Sequence, residues 1–164
     1  MPIVSADIKY RLSGGAANAD PALSLGGAKS STEAGSNLLD AVSSAEALAG
    51  DIEYRCYYVH NAHATLTLEN AVAWIQANTP SADTTLDIGV GTSAVNGTEQ
   101  TVVNENTAPT GITFVAAVNE AGAVALGNIP PSQHRAVWIR RTVNAGAAAS
   151  NDTATLTAKG DTQA

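Results

Sequence analysis

The sequence predicts an all-β protein, an antiparallel β-sandwich. Three observations carry that expectation. Apolar and polar residues alternate in short runs, the period of a half-buried strand. Gly, Pro, Asn and Asp turn signals separate the runs at short intervals, as in antiparallel sheets. No helical segments alternate with the strand runs, so a parallel sheet has no connections to build it. Small residues dominate and only 4% of residues are aromatic, so few large side chains are on hand to fill a core.

The first strand is read from Ile8, Tyr10 and Leu12 alternating with Lys9, Arg11 and Ser13. It runs into a loop from Ser13 to Pro21, and Leu25-Gly26-Gly27 continues the irregular stretch. Residues 1–37 are therefore expected to form an extended N-terminal arm, and residues 38–164 the β-sandwich domain. Leu38, Leu39, Val42, Ala45 and Leu48 fit helical spacing. Ser43 with Glu46 reads as a capping box, and Gly50 as a stop. A short helical turn is expected there.

The clearest strand is Asp51 to Val59, where Ile52, Tyr54, Cys56 and Tyr58 share one face and Glu53, Arg55, Tyr57 and Val59 the other. His60 to His63 reads as a turn. Thr65 to Leu68 and Ala71 to Gln76 form the next β segment, with Glu69-Asn70 as a bulge. Thr84 to Val90 is a strand, and Asn96-Gly97 is a turn dipeptide. Strands follow at Ile112 to Val118, Val124 to Leu126 and Arg135 to Val143. Asn144 to Asn151 is a loop, and the alternation of Ala154, Leu156 and Ala158 ends the count at about seven to nine strands.

Charge and cysteine usage narrow the function. The net charge is −7, and the eight basic residues are scattered, with Arg140-Arg141 as their one adjacent pair. No basic stripe tracks a phosphate backbone, so nucleic acid is not an expected partner. No apolar run approaches the roughly 18–20 residues of a membrane helix, so no membrane partner is expected either. Cys56 is the single cysteine, which excludes an internal disulfide. It lies in an apolar alternation and reads as a small buried hydrophobe. The N-terminus has neither the basic nor the apolar region of a leader, so assembly in a cytoplasm is expected.

No constellation nominates chemistry. His60 and His63 sit in a turn, where a spacing of three does not align side chains as it does on a helix. Asp83, Asp87, Glu99 and Glu105 are loop carboxylates without calcium-loop spacing. There is no nucleophile elbow and no phosphate loop. Trp74 and Trp138 lie in strand alternations and read as core or interface, with a sugar-stacking platform as the sharper alternative. The chain is expected to be no enzyme, with no cofactor and no metal. Arg140 and Arg141 point to opposite faces by strand period, and they read equally as interface anchors, where arginine is favoured, or as a solvated edge.

Two stretches resemble known families. Ala125-Leu126-Gly127-Asn128-Ile129-Pro130-Pro131-Ser132-Gln133-His134-Arg135-Ala136-Val137-Trp138-Ile139 resembles a pattern of immunoglobulin-like adhesion modules, with Pro131-Ser132 where that pattern has Pro-Gly. The resemblance implies an immunoglobulin-like sandwich in which the apolar pair packs between sheets and the following strand is central. The second resemblance rests on Ile8 to Pro21, Leu25 to Gly27, Gly50 to Val59 and Asn104 to Gly111. These are similar in character to small virion structural proteins of tailed bacteriophages. That implies a virion component, on head or tail; the function expected is a capsid decoration (cement) protein that binds the head surface and stabilises it, with a tail or baseplate component and a carbohydrate-binding adhesion module as alternatives. The implied partners are a major capsid protein or another virion protein, and further copies of the chain. Tyr10, Arg11 and Leu25 on the arm, with Arg140 and Arg141, are the expected interface residues.

Overall fold

The computed structural model describes residues 1–148 and 153–162. Among them run nine strands: β1 (Ile8–Leu12), β2 (Gly26–Gly27), β3 (Asp51–Asn61), β4 (Leu68–Ala77), β5 (Thr84–Val90), β6 (Glu99–Thr101), β7 (Val124–Ile129), β8 (His134–Val143) and β9 (Thr155–Thr162). They form a four-stranded sheet in the order β1-β3-β8-β5, a three-stranded sheet β7-β4-β9, and the small pair β2-β6. Every pairing is antiparallel. The fold is an all-β sandwich.

The core lies between the two larger sheets. Tyr57, Val59, Leu86, Ile88, Val137 and Ile139 face Leu68, Ala73, Ile75, Leu126 and Ile129 across it. A second cluster fills the opposite face of the four-stranded sheet, where Tyr54, Cys56, Tyr58, Ala136 and Trp138 pack under Leu25, Val102, Ile112 and Phe114. The central sheet is thus covered on both sides over much of its area. That is why β3 is buried without interruption from Glu53 to Val59, where a strand with one solvated face would alternate.

Close approach of the outer layer needs small residues below it. A Cβ on Gly89 would lie 2.5 Å from the Ile112 side chain and 2.7 Å from the Thr113 carbonyl. Gly26, at φ +94°, lets β2 settle where a Cβ would stand 1.8 Å from the Gln100 carbonyl.

Several expected elements appear where the sequence signals place them. The helix α1 (Ser44–Ala49) carries the Ser43–Glu46 capping box and ends at Gly50 with φ +79°. Asn70 takes a left-handed φ of 49° at a register shift in β4. Ser132, standing where the resemblance has glycine, takes φ 62°, the left-handed conformation glycine favours.

Other expectations are corrected. His60 and Asn61 are not a turn but the end of β3, paired with His134 and with Ile8 respectively. Ile112–Val118 is not a strand. It makes one bridge, Val115 to Ile88, as it crosses from the outer cluster to the inter-sheet core. Phe114 packs outside, while Ala117 is buried inside and accepts a hydrogen bond from Ile75 N–H. Its alternation reflects two different layers and not one sheet face. Much of segment 1–37 lies against the sandwich. β1 pairs with β3 along its length, and residues 30–34 return along its other edge through Leu12 N–H to Thr32, Ser30 N–H to Leu12 and Ala34 N–H to Tyr10. These bonds satisfy backbone groups that a buried chain cannot leave unpaired. The Asn144–Asn151 loop lies partly outside the described residues.

Candidate functional site

Two regions gather the charged and aromatic side chains, and both follow from the β3–β8–β5 register. Tyr54 lies opposite Arg140, which lies opposite Asp87. All three therefore sit on the outer face. Arg140 donates through Nε and Nη2 to Asp87 Oδ2 at 3.1 and 2.5 Å. Its guanidinium is 5.2 Å from the centre of the Phe114 ring, within cation–π range. Phe114 in turn lies 5.5 Å from Tyr54. One pair further along, Ile52, Thr142 and Thr85 continue the row. Ile52 is 45% exposed there. A strip with Arg140 and Ile52 on strands, and Phe114 beside them on the 112–118 segment, remains partly open at this end.

The second region is on the inner face at the same end. Arg141 is paired with the buried Glu53, and Arg55 with Glu105. Asp40 ties the two pairs together, 3.2 Å from Arg141 and 3.7 Å from Arg55. Burial pushes the Glu53 carboxyl up to about 7, against the pull of Arg141 and helped by the charges of Asp40 and Glu105. Oxygens of Asp40, Glu53 and Glu105 lie within 4.8 Å of one another, which is a ligand-like grouping. Two guanidinium groups stand among these three carboxylates and neutralise two of them, and the raised Glu53 carboxyl reduces the remaining negative charge by holding its proton.

The histidines do not converge as His60 and His63. His60 faces His134 across β3 and β8, while His63 Nδ1 accepts from the backbone of Thr65 and Leu66 and caps its turn. Burial lowers His134 to about 4, with the charges of Lys29 and His60 acting the same way. Asp87 and Glu99 are not in loops but in β5 and β6, and Glu99 organises the neighbouring turn. Burial opposes its ionisation, but the Ser93 and Thr92 donors outweigh that and hold its carboxyl below the ordinary value. Trp138 is fully buried and Trp74 packs partly against the inter-sheet core, so Trp138 offers no platform for a sugar.

The expected interface residues fall in different places. Tyr10 is half-buried, and its hydroxyl accepts from Ala158 N–H, joining β1 to the outer edge of β9. Arg11 reaches the Ser31 carbonyl and Glu33 on the surface. Leu25 lies in the outer layer. Arg140 is on the open strip. Arg141 is turned inward at 5% exposure. Phe114, Asp87 and Ile52 complete the strip, and no local sequence signal marks them for it. The alternation in β3 and β8 gives their faces, but the register that aligns them is not written in either strand alone.

No helix among the described residues is long and apolar enough to cross a membrane. No protein family, curated protein or solved structure matches the chain.

Proposed function

We propose that the chain is a structural component of a tailed-phage particle, most simply a capsid decoration protein that binds the head and stabilises it. The observation that supports this reading is the open strip around Arg140, Phe114 and Ile52 on an otherwise doubly covered sheet. Arginine and aromatic side chains on a rigid surface are the usual anchors of a protein interface. Arg140 and Ile52 are held on strands, and Arg140 is fixed by Asp87 and by the Phe114 ring, so little ordering is needed on docking. Repeated over a symmetric shell, a modest contact per copy adds up through avidity. An immunoglobulin-like sandwich suits the same role.

The test is to add labelled protein to particles stripped of it and locate it by electron microscopy. Label over the head, lost with Arg140→Glu, is the expected result. Label confined to the tail moves the reading to a tail or baseplate component. Absence of binding to any part of the particle overturns it.

A further inference from the structure

We propose that the cavity at the α1 end of the sandwich binds a small uncharged amphiphile, an apolar body carrying one oxygen acceptor that the Tyr57 hydroxyl engages. This inference is independent of the particle reading. The cavity measures about 610 Å³ and lies between the inner face of the four-stranded sheet, β9 and the 34–44 segment. Sites for small molecules span roughly 300–1,000 Å³ and are mostly apolar with a few placed polar groups. Leu38, Leu86, Ile139 and Leu156 supply the apolar wall here. Tyr57 also lines it, is fully buried, and its hydroxyl has no hydrogen-bond partner among the described residues. Buried hydroxyls are nearly always partnered, so an orphan calls for an explanation.

The chemistry of the walls selects the ligand. Burial raises the Tyr57 phenol, so it keeps its proton and offers a donor. The matching group is an acceptor oxygen, as in an alcohol, ester or ketone. The charged wall residues Arg141 and Asp40 are already bonded to each other, and Arg141 also to Glu53. They leave no uncompensated charge to call for an ionic ligand.

The experiment uses the intact protein, the neutral dye N-phenyl-naphthylamine as reporter, and octanol as competitor. Saturable dye fluorescence displaced by octanol is expected. With Tyr57→Phe, dye affinity should stay within about twofold, while octanol should compete about tenfold less well, the loss of one hydrogen bond. Leu156→Trp, confirmed as folded by circular dichroism, should abolish the dye signal. Should that variant not fold, octanol-induced amide NMR shifts in the wild type take its place. They are expected on β3, β5, β8 and β9 around the cavity. No saturable binding, shifts located elsewhere, or unchanged octanol competition in Tyr57→Phe would each overturn the proposal.

Discussion

Glu53 on β3 and Arg141 on β8 stand directly opposite in register and pair through side chains that are 1% and 6% exposed. Such a pair is costly to bury and costly to halve, because without Glu53 the buried Arg141 keeps its charge with only the exposed Asp40 carboxylate to offset it. At pH 8, where Glu53 is ionised, Glu53→Ala is therefore expected to lower stability by about 1–3 kcal/mol. Replacing both, as Glu53→Leu with Arg141→Met, should recover most of that loss. Urea unfolding of the two single variants and the double variant measures the coupling. A double variant as unstable as the sum of the singles would show that the pair does not act as a unit.

The same carboxyl gives the protein a pH dependence, and His134 opposes it. Folded Glu53 keeps its proton up to about pH 7, whereas its ordinary value is 4.5. Folding takes up a proton between those limits, so this group makes stability fall as pH rises through them. Folded His134 loses its proton near pH 4 against an ordinary 6.5. Between those limits the unfolded chain holds more protons, so this group makes stability rise with pH. The two limbs offset each other in the wild type. Glu53→Gln should leave the rising limb and steepen the gain in melting temperature from pH 4 to 6.5. His134→Phe should leave the falling limb. Thermal melts of the three proteins across this range decide it, and parallel profiles would contradict the assignment.

Local signals carried the fold well where structure is local. The capping box at Ser43 and Glu46, the stop at Gly50 and the left-handed Asn70 depend on a few neighbouring residues, and the sequence states them. The faces of β3 were legible too, because alternation fixes them. What β3 could not show is that both faces are buried, since the cover for its outer face comes from Leu25 and residues 102–114. Likewise β2 and β6 are two and three residues long, too short to set up a period. The strip around Arg140 was half legible. Arg140 stands out as half of the one adjacent basic pair, but Phe114 and Asp87 join it only through long-range packing and register. The internal role of Arg141 needed Glu53 to be placed opposite it.

Gly89 tests whether the outer layer is held as closely as it lies. Gly89→Ala would put a methyl group 2.7 Å from the Thr113 carbonyl. That contact is with backbone, which a rotamer change cannot relieve. Overpacking of this kind costs about 1–3 kcal/mol. The loss should appear in thermal unfolding, together with NMR shifts at Ile112 and Phe114. A variant as stable as the wild type, with those signals unmoved, would mean that the 112–114 segment sits further from β5.

Cys56 reports on the whole sandwich. It is fully buried at the centre of the outer cluster. Burial pushes its thiol far above the ordinary range, and the Glu99 charge adds to that. The thiolate is the reactive form, so the native thiol is both unreachable and protonated. Its strand is flanked by β1 and β8, and its own backbone is pinned by Cys56 N–H to Ser24 and by Ser13 Oγ to the Cys56 carbonyl. Local fraying cannot expose it without breaking those contacts. A disulfide exchange reagent at pH 8 should therefore label Cys56 only through global opening. The free energy from labelling rates should equal that from urea unfolding. A markedly smaller value would reveal a sub-global opening of the β2–β6 layer, with β3 exposed while the inter-sheet core stays closed.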